Sequence, residues 1–424
     1  MSAARSMATR RAGRLKAAPW PVLLSVGVAF AFALGFPALV VDDSPGYLDP
    51  ARAWAAGQGL REGNGHPLQY RLPLFPLALG VTIRLFGEDP RAFTLMNVGF
   101  LVLAALVVRR ALRPRGRAVA DAVAVAILLY PPLLTSAALV LQETLLSLLI
   151  AVVFVLAGRA VEGPSIGRSL AAGAALGLAA LAKPTVLPVG VALAAIIGAT
   201  GRRSWIRVGA LALGCALVLA PWMVRNQRVL GRPEITTGNA GHTLLGGTVS
   251  NRIENWNTFP EYVEARREWE QSGQAEEPAL DRHLARVALR RIAAHPARWL
   301  GLCAERAIRF MLPARTWFVQ AGLSRTGTFG PTYLIATAFN VTLFALAAWL
   351  SAHALRKRDL ALLVGPVIVF GHLAAYAVVY SSPRYGVTVG PVLIAAAGLA
   401  LAEIRRGRQR LGATTAAEGA PAAP

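Results

Sequence analysis

The chain has 424 residues, of which 55% are hydrophobic and only 16% are charged, whereas soluble domains carry about a quarter charged residues. Its mean hydropathy is +0.49 and its formal net charge is +22. These values exclude a disordered chain, a collagen-like chain and a disulfide scaffold. They indicate a polytopic, all-α membrane protein whose basic residues act as topology signals, with no nucleic acid as partner.

Ten apolar runs predict about ten transmembrane helices. The runs cover residues 20–41, 91–109, 118–134, 136–158, 168–182, 184–200, 206–223, 330–353, 360–380 and 384–403. Basic residues and no acid precede the first run. We therefore interpret this run as an uncleaved signal anchor that leaves the N-terminus in the cytoplasm.

The basic residues between the runs set the expected orientation. Arginine and lysine cluster in every second gap, at residues 109–117, 159–168, 202–207, 356–358 and 405–410. Basic gaps face the cytoplasm. All five gaps and the C-terminus can lie on that side only if the apolar stretch Leu72–Phe86 does not cross the membrane. That stretch is short and contains two prolines, so we interpret it as an interfacial or re-entrant helix.

The chain divides into four expected parts. Residues 1–223 form an N-terminal transmembrane core that includes a first outer loop at 42–90. Residues 224–329 form a large, partly helical outer loop, 330–403 form the C-terminal transmembrane helices, and 404–424 form a basic and then disordered cytoplasmic tail. Long loops are usually functional, and the inner gaps are short, so we expect the functional site on the outer, extracytoplasmic face.

Acidic residues at the outer ends of two spans are the first candidates for catalysis. Asp42 and Asp43 follow the first span. Such a pair is either a solvated helix end or a general base or hard-metal ligand, and position alone leaves both interpretations open. Glu143, in the outer part of the fourth span, is either a functional acid or a structural partner of an arginine.

Basic residues on the same face are candidates for binding a phosphate. Arg71 begins the interfacial helix, where a guanidinium either binds a phosphate with two hydrogen bonds or snorkels towards the headgroups. Lys183 separates the fifth and sixth spans, and Arg225 emerges with Asn226 at the end of the seventh. Each of these positions is also typical of a helix end.

The outer loops and turns supply aromatic and polar candidates. Tyr47 lies on a short amphipathic helix predicted over residues 46–57. His242 ends a segment of small polar residues that either wraps a sugar or forms a turn. Arg384 and Tyr385 occupy the last outer turn, either closing over a lipid-linked phosphate or forming an interface anchor pair.

One segment of the large outer loop is expected to lie on the membrane. Residues 300–311 predict an amphipathic helix in the interface, with Arg306 and Arg309 snorkelling towards the headgroups.

The order and spacing of these motifs resemble the GT-C membrane glycosyltransferases, in particular the family 39 branch that includes protein O-mannosyltransferase-like and aminoarabinose-transferase-like enzymes. The resemblance covers roughly residues 20–403. It rests on segments 43–57, 70–87, 143–145, 220–231, 294–296 and 384–391. It implies a GT-C fold with two juxtamembrane helices in the first outer loop.

The resemblance also implies a reaction. A sugar, hexosyl or pentosyl, moves from a polyprenyl-phosphate donor to a hydroxyl of a lipid, glycan or protein acceptor of the cell envelope, outside a bacterial inner membrane. Asp43, or its neighbour Asp42, becomes the catalytic base or metal ligand, and Arg71 contacts the donor phosphate. The implied cofactor is either a divalent metal such as Mg, Mn or Zn, or none. The chain has Leu72-Pro73 where the family has two prolines, and Asp42-Asp43 where it has an Asp-Glu pair.

The predicted site therefore gathers charged and aromatic residues at the outer face. The catalytic candidates are Asp43 and Asp42; the donor phosphate-binding candidates are Arg71, Arg225, Lys183 and Arg384; the further pocket residues are Tyr47, Glu143, Asn226, His242 and Tyr385. A lipid-linked glycan ligase or polymerase and a lipid or sugar transporter remain alternatives.

Overall fold

The computed structural model describes residues 20–235, 239–251, 258–271, 277–313 and 329–418. The basic segment before residue 20 lies outside these ranges, as do residues 236–238 of the small polar segment that ends at His242. In chain order the helices are α1 Trp20–Gly35, α2 Pro45–Ala55, α3 Leu74–Phe86, α4 Pro90–Leu112, α5 Arg117–Leu128, α6 Pro131–Ala137, α7 Glu143–Glu162, α8 Ile166–Ala182, α9 Leu187–Gly198, α10 Ser204–Leu230, α11 Ala240–Val249, α12 Pro260–Gln271, α13 Glu277–Ala294, α14 Pro296–Met311, α15 Phe329–Lys357, α16 Leu360–Val378 and α17 Gly390–Glu418.

Each apolar run predicted from the sequence overlaps a helix. Within the described ranges, six helices are long and apolar enough to cross a membrane, and α5 with α6, bent by 48°, makes a seventh candidate. The apolar helices α1, α3, α8 and α9 are shorter. At 1.5 Å per residue, α3 is about 20 Å long, less than the hydrocarbon core of about 30 Å. The protein is a multi-pass, all-α membrane protein, and the count of ten spans stays a prediction.

A backbone junction joins the segment after α1 to the segment before α7. The N–H of Leu39 donates to the carbonyl of Ala138 at 2.8 Å, and the carbonyl of Leu39 accepts from the N–H of Val140 at 3.1 Å. Asp43 follows this junction on the first segment, and Glu143 follows it on the second. The two acidic candidates are therefore brought to the same end of the helix bundle.

A buried asparagine explains why the fourth span begins later than predicted. Asn97 of α4 is fully buried, and its Nδ2 donates to the carbonyls of Ala137 and Leu139 at 3.1 and 2.9 Å. Its Oδ1 accepts from the hydroxyl of Thr144 at 2.7 Å. The two Nδ2 bonds satisfy the carbonyl of the last residue of α6 and a carbonyl in the link that follows it. The chain from 138 to 142 therefore links α6 to α7 as non-helical backbone, where the sequence predicted a helix from residue 136.

The first outer loop folds as a pair of helices, α2 and α3. Trp54 of α2 packs over Gly80 of α3, where a methyl group would lie only 2.6 Å from the indole ring. The guanidinium of Arg84 stacks on the same indole with 4.7 Å to the ring centroid. Arg52 donates to both carboxylate oxygens of Glu88 at 2.7–3.0 Å. The helix predicted over residues 46–57 is confirmed as α2.

The large outer loop has helical structure in its described parts. Helices α11, α12 and α13 enclose a small apolar core of their own, which contains Leu245, Tyr262, Trp269 and Leu284. Helix α14 then returns the chain to the bundle, where it packs against α16.

Three of the basic gaps, at residues 109–117, 159–168 and 405–410, lie together at the other end of the bundle. Arg115 pairs with Glu162 at 3.0 Å, and Arg406 donates to the Arg115 carbonyl at 3.1 Å. Since α7 rises about 30 Å between Glu143 and Glu162, this basic end lies about one hydrocarbon thickness from the acidic candidates. Helix α17 continues to Glu418, so the described part of the tail is helical where disorder was predicted from Gly412.

Glycines bring α8 and α10 into backbone contact. A methyl group at Gly173 would overlap the Leu211 carbonyl, and one at Gly214 would overlap the Leu170 carbonyl. In membranes, helices associate through close packing of small residues because lipid tails are as apolar as the side chains. This packing places the end of α8, and with it Lys183, against the bundle.

Replacing Gly214 with alanine should destabilise this helix pair. The added methyl group must displace the facing backbone, which costs about 1–3 kcal/mol. We expect a lower midpoint of thermal unfolding for Gly214→Ala in detergent micelles. Gly209→Ala on the same helix is the matched control, because nothing lies within 4 Å of a methyl group there. Equal midpoints for the two variants would contradict this packing.

Candidate functional site

Asp43 lies between two arginines from distant parts of the chain. Nη2 of Arg71 donates to Oδ1 of Asp43 at 2.7 Å, and Nη2 of Arg384 donates to Oδ2. Arg71 belongs to the segment that precedes α3, and Arg384 lies in the turn Pro383–Val389 before α17. The carboxylate is therefore bridged on both oxygens, while its side chain keeps 34% exposure.

A tight turn aims Asp43 at these arginines. The buried Ser44 hydroxyl accepts from the Val41 N–H at 2.9 Å, and the Ser44 N–H donates to the Val41 carbonyl at 2.7 Å. Pro45 then starts α2, as proline favours the first helical turn. At the next position, Gly46 leaves room for Arg71: a methyl group there would lie 2.9 Å from its Nε.

The arginines control the ionisation of Asp43. Burial alone would raise the pKa of its carboxyl. The positive charges of Arg384 and Arg71, with their hydrogen bonds, outweigh burial and lower the pKa from 3.8 to about 2. Asp43 is therefore an anion at any physiological pH.

Glu143 is the second carboxylate of a charged cluster that also contains Asp43, Arg71, Lys183 and Arg384. It is the first residue of α7, with a side chain only 4% exposed, and the helix N-terminus favours its negative charge. Its Oε1 lies 3.7 Å from Nε of Arg384. Its Oε2 is buried without a hydrogen-bond partner among the described residues. Arg384 thus lies between two carboxylates, one of which retains a free acceptor.

Lys183 contacts aromatic rings rather than a carboxylate. Its Nζ lies 3.6 Å from the ring centroid of Tyr385 and 5.2 Å from that of Tyr376, which is cation–π geometry. The two rings stack with centroids 4.7 Å apart. The hydroxyls of Thr185 and Tyr376 are 3.0 Å apart. No carboxylate in the described ranges lies within 4.0 Å of Lys183.

Tyr47 closes the cluster on the side of α2. Its buried ring lies 4.8 Å from the guanidinium of Arg71 and meets Phe75 edge-on at 5.3 Å. Burial raises the pKa of the Tyr47 hydroxyl to about 12. The phenol is therefore neutral at physiological pH.

Arg225 and Asn226 lie apart from this cluster. Nη1 of Arg225 donates to the carbonyl of Leu68 at 2.8 Å and to Oδ1 of Asn226 at 2.9 Å. Nδ2 of Asn226 donates to the carbonyl of Glu234 at 2.6 Å. This pair holds the first outer loop to the end of α10, and none of these contacts involves Asp43.

His242 and Asp42 are also placed elsewhere. His242 belongs to the core of the large loop, where its ring stacks on Tyr262 at 4.7 Å and its N–H donates to Asp281 at 3.1 Å. Asp42 is exposed, and its carboxylate is bound by neither Arg71 nor Arg384. The catalytic and phosphate-binding roles assigned from the sequence stay predictions for every one of these residues.

The metal predicted at Asp43 and Asp42 does not match the donors around them. Both oxygens of Asp43 face guanidinium groups, and cations in these positions repel a divalent ion. Over the described part of the chain, no three His, Cys, Asp or Glu residues come together as a ligand set. The residues around Asp43 therefore do not fit a divalent metal ion.

Two residues of this region were missed or misjudged from the sequence. Tyr376 had no part in the predicted site, although Tyr376, Tyr380 and Arg384 recur every four residues at the end of an apolar run, which was the available signal. Arg306 was expected to snorkel towards headgroups. Instead it is fully buried, because it points into the protein and binds backbone carbonyls.

The pKa of Asp43 predicts how stability depends on pH. Because folding lowers this pKa, the two ion pairs stabilise the fold fully above the unfolded value of 3.8 and lose their effect as the pH falls through about 2. The difference in thermal midpoint between wild type and Asp43→Asn should be constant above about pH 5 and shrink below it. A difference that persists unchanged to pH 2 would contradict the pairing.

Comparison with known proteins supports the resemblance. Residues 66–224, less than half of the chain, match the family described as dolichyl-phosphate-mannose-protein mannosyltransferase. No curated protein matches significantly. The chain is also similar to two crystal structures of ArnT from Cupriavidus metallidurans. The structure bound to undecaprenyl phosphate is 17% identical, the match covers 90% of this chain and 78% of that chain, and the TM-score is 0.45. The apo structure is 18% identical, the match covers 89% of this chain and 77% of that chain, and the TM-score is 0.43.

The matched segment contains Arg71, Glu143 and Lys183, three of the residues that converge in the cluster. Residues 66–224 are thus similar to the dolichyl-phosphate-mannose-protein mannosyltransferase family, and the predicted resemblance to the GT-C membrane glycosyltransferases is confirmed over that segment.

Proposed function

We propose that the protein is an integral membrane glycosyltransferase that moves a sugar from a polyprenyl-phosphate donor to a hydroxyl acceptor. The observation that carries this proposal is the carboxylate of Asp43 between Arg71 and Arg384, next to Glu143. An acid beside a cluster of cations is what glycosyl transfer from a phosphate requires. The acid assists the attacking hydroxyl, and the cations stabilise the leaving group.

The charges of the cluster favour an anionic donor. Its cations are Arg71, Arg384 and Lys183, and its carboxylates are Asp43 and Glu143, so one positive charge is in surplus. A sugar linked to a lipid through a phosphodiester carries one negative charge. The family match also supports this donor class, since its description names a polyprenyl-type phosphate linked to mannose.

The proposed reaction is a single displacement at the anomeric carbon. The acceptor oxygen forms a bond to that carbon while the bond from the carbon to the phosphate oxygen breaks, and its electron pair leaves with the lipid phosphate. The acceptor proton passes to Asp43 and then to water or phosphate. Donor phosphate competes with Asp43 for Arg71 and Arg384, and each hydrogen bond that moves to the phosphate makes Asp43 a stronger base.

The position of the cluster sets the proposed topology. It lies at the end of the bundle opposite the basic gaps, and basic gaps face the cytoplasm in membrane proteins. The cluster then faces the outside of the inner membrane, with both termini in the cytoplasm. We assign the acceptor side to the large outer loop, and leave hexosyl and pentosyl donors as equal candidates.

Asp43→Asn should abolish transfer without unfolding the protein. The amide keeps the shape of the side chain but cannot take a proton, and one positioned acid or base contributes about 10²–10⁴-fold in rate. The measurement is transfer from a panel of radiolabelled undecaprenyl-phosphate hexoses and pentoses. Asp42→Asn is the matched control, because Asp42 binds neither arginine of the cluster and should be dispensable. Full activity of folded Asp43→Asn would refute its role.

Arg71→Ala should mainly weaken the use of donor. Losing a charge-assisted hydrogen bond costs about 1.5–3 kcal/mol, so we expect the donor KM to rise about ten- to a hundredfold. Arg61→Ala is the control, since Arg61 donates to the loop carbonyls of Gln58 and Gly65 at 3.1 and 2.9 Å and, among the described residues, to no member of the cluster. An unchanged donor KM would count against the phosphate assignment.

The same assay separates the alternatives. Lipid-monophosphate sugars should serve as donors and lipid-diphosphate sugars should not. The reverse preference would favour a ligase or polymerase. Movement of labelled lipid across vesicles without any transfer would favour a transporter.

A further inference from the structure

Arg306 of α14 is a fully buried cation that binds two separate parts of the chain, residues 247–251 and 377–379. Its Nε donates to Oδ1 of Asn251 at 2.8 Å. Its Nη2 donates to the carbonyl of Gly247 in the last turn of α11. Its Nη1 lies 2.8, 3.0 and 3.1 Å from the carbonyl oxygens of Ala377, Val378 and Val379, at the end of α16.

The helix ends explain how this charge is tolerated. A buried cation is costly unless it is paired, and Arg306 forms no ion pair within 4.0 Å in the described ranges. The carbonyls that it binds belong to the C-termini of α11 and α16. Each C-terminus carries about half a negative charge, so together they offset about one positive charge. The guanidinium therefore joins the large outer loop to the end of a transmembrane helix.

Arg306 joins them next to the proposed donor site. Arg384 follows Val379 by five residues. Phe310, one helical turn after Arg306, stacks on Tyr376 at 5.7 Å, and a methyl group at Gly386 would overlap the Phe310 carbonyl. Helix α14 thus contacts both flanks of the turn that carries Arg384.

We propose that Arg306 is a positioning residue. Through Arg306, the large outer loop holds the turn Pro383–Val389, so that Arg384 and the stacked rings of Tyr376 and Tyr385 face Asp43 and the donor phosphate. This proposal rests on the proposed function for its ligand but not for its geometry. The outer loop then serves the donor side of the reaction as well as the acceptor side.

Lysine cannot replace Arg306 in this role. An ammonium group is a single donor centre, whereas the guanidinium spreads its donors over three nitrogens in a fixed plane. Arg306→Lys keeps the charge but can reach only part of the set formed by Asn251, Gly247 and the end of α16. The turn that carries Arg384 should then become less restrained.

The test compares Arg306→Lys with Arg298→Lys in the full-length, micelle-solubilised protein. Arg298 lies on the same helix but is exposed, with one contact of 3.4 Å to Val249. Two quantities are measured: hydrogen–deuterium exchange of the amides at 379–386, and affinity for undecaprenyl phosphate, the probe, in titrations without turnover. Phe310→Leu is a second variant that leaves Arg306 in place and removes the ring contacts of Phe310 with Tyr376 and Phe344.

We expect faster exchange at 379–386 and about tenfold weaker binding of the probe for Arg306→Lys, equivalent to about 1.4 kcal/mol. Phe310→Leu should change both quantities in the same direction but by a smaller amount. Arg298→Lys should change neither the exchange rate nor the probe affinity. Unchanged exchange in Arg306→Lys overturns the positioning role. Faster exchange with unchanged probe affinity overturns the link to the donor. If wild type does not bind the probe while the exchange pattern holds, the proposed function fails and the anchoring role stands.

If Arg306→Lys does not fold, Phe310→Leu decides the question with the same two measurements. Faster exchange at 379–386 together with weaker probe binding supports the proposal, and wild-type values for both overturn it.

Discussion

The carboxylate of Asp43 held by Arg71 and Arg384 is the interaction on which the site depends. It joins Asp43 to Arg71, which lies 28 positions later in the sequence, and to Arg384, which lies 341 positions later. It therefore forms only when the first outer loop and the last transmembrane segments are both in place. Two guanidinium groups around one carboxylate leave charge for further anions. The same contact therefore closes the fold at the end of the bundle opposite the basic gaps, and it lies where we propose that the donor phosphate binds.

Helix ends supply most of the electrostatics around this contact. Glu143 begins α7 and Lys183 ends α8, so each carries the charge that its helix terminus favours. Arg306 binds the carbonyl ends of two further helices. Charges at helix ends stay close to the membrane boundary, where their desolvation costs less than at the bilayer centre. This constraint explains why the ionisable cluster forms a layer at one end of the bundle.

Part of the site was accessible to sequence reasoning, for a physical reason. Asp43, Arg71, Glu143, Lys183 and Arg384 are charged residues at the outer ends of apolar runs, where burial is costly enough to need an explanation. The same argument also selected Arg225, which binds a loop carbonyl. Position along the membrane normal defines a layer of candidates, but it does not show which members meet within that layer.

Sequence by itself determined the class of protein, the helices of the membrane part and the end of the bundle at which its charges gather, because hydropathy and basic residues act locally along the chain. Tertiary structure alone decided that Tyr376 faces Lys183, that Arg306 turns into the protein, and that residues 138–142 leave the helix. Each of these outcomes depends on a partner far away in the sequence: Lys183 for Tyr376, the end of α16 for Arg306, and Asn97 for residues 138–142. Local patterns carry no information about such partners, since packing and backbone hydrogen bonding choose them only when the helices assemble.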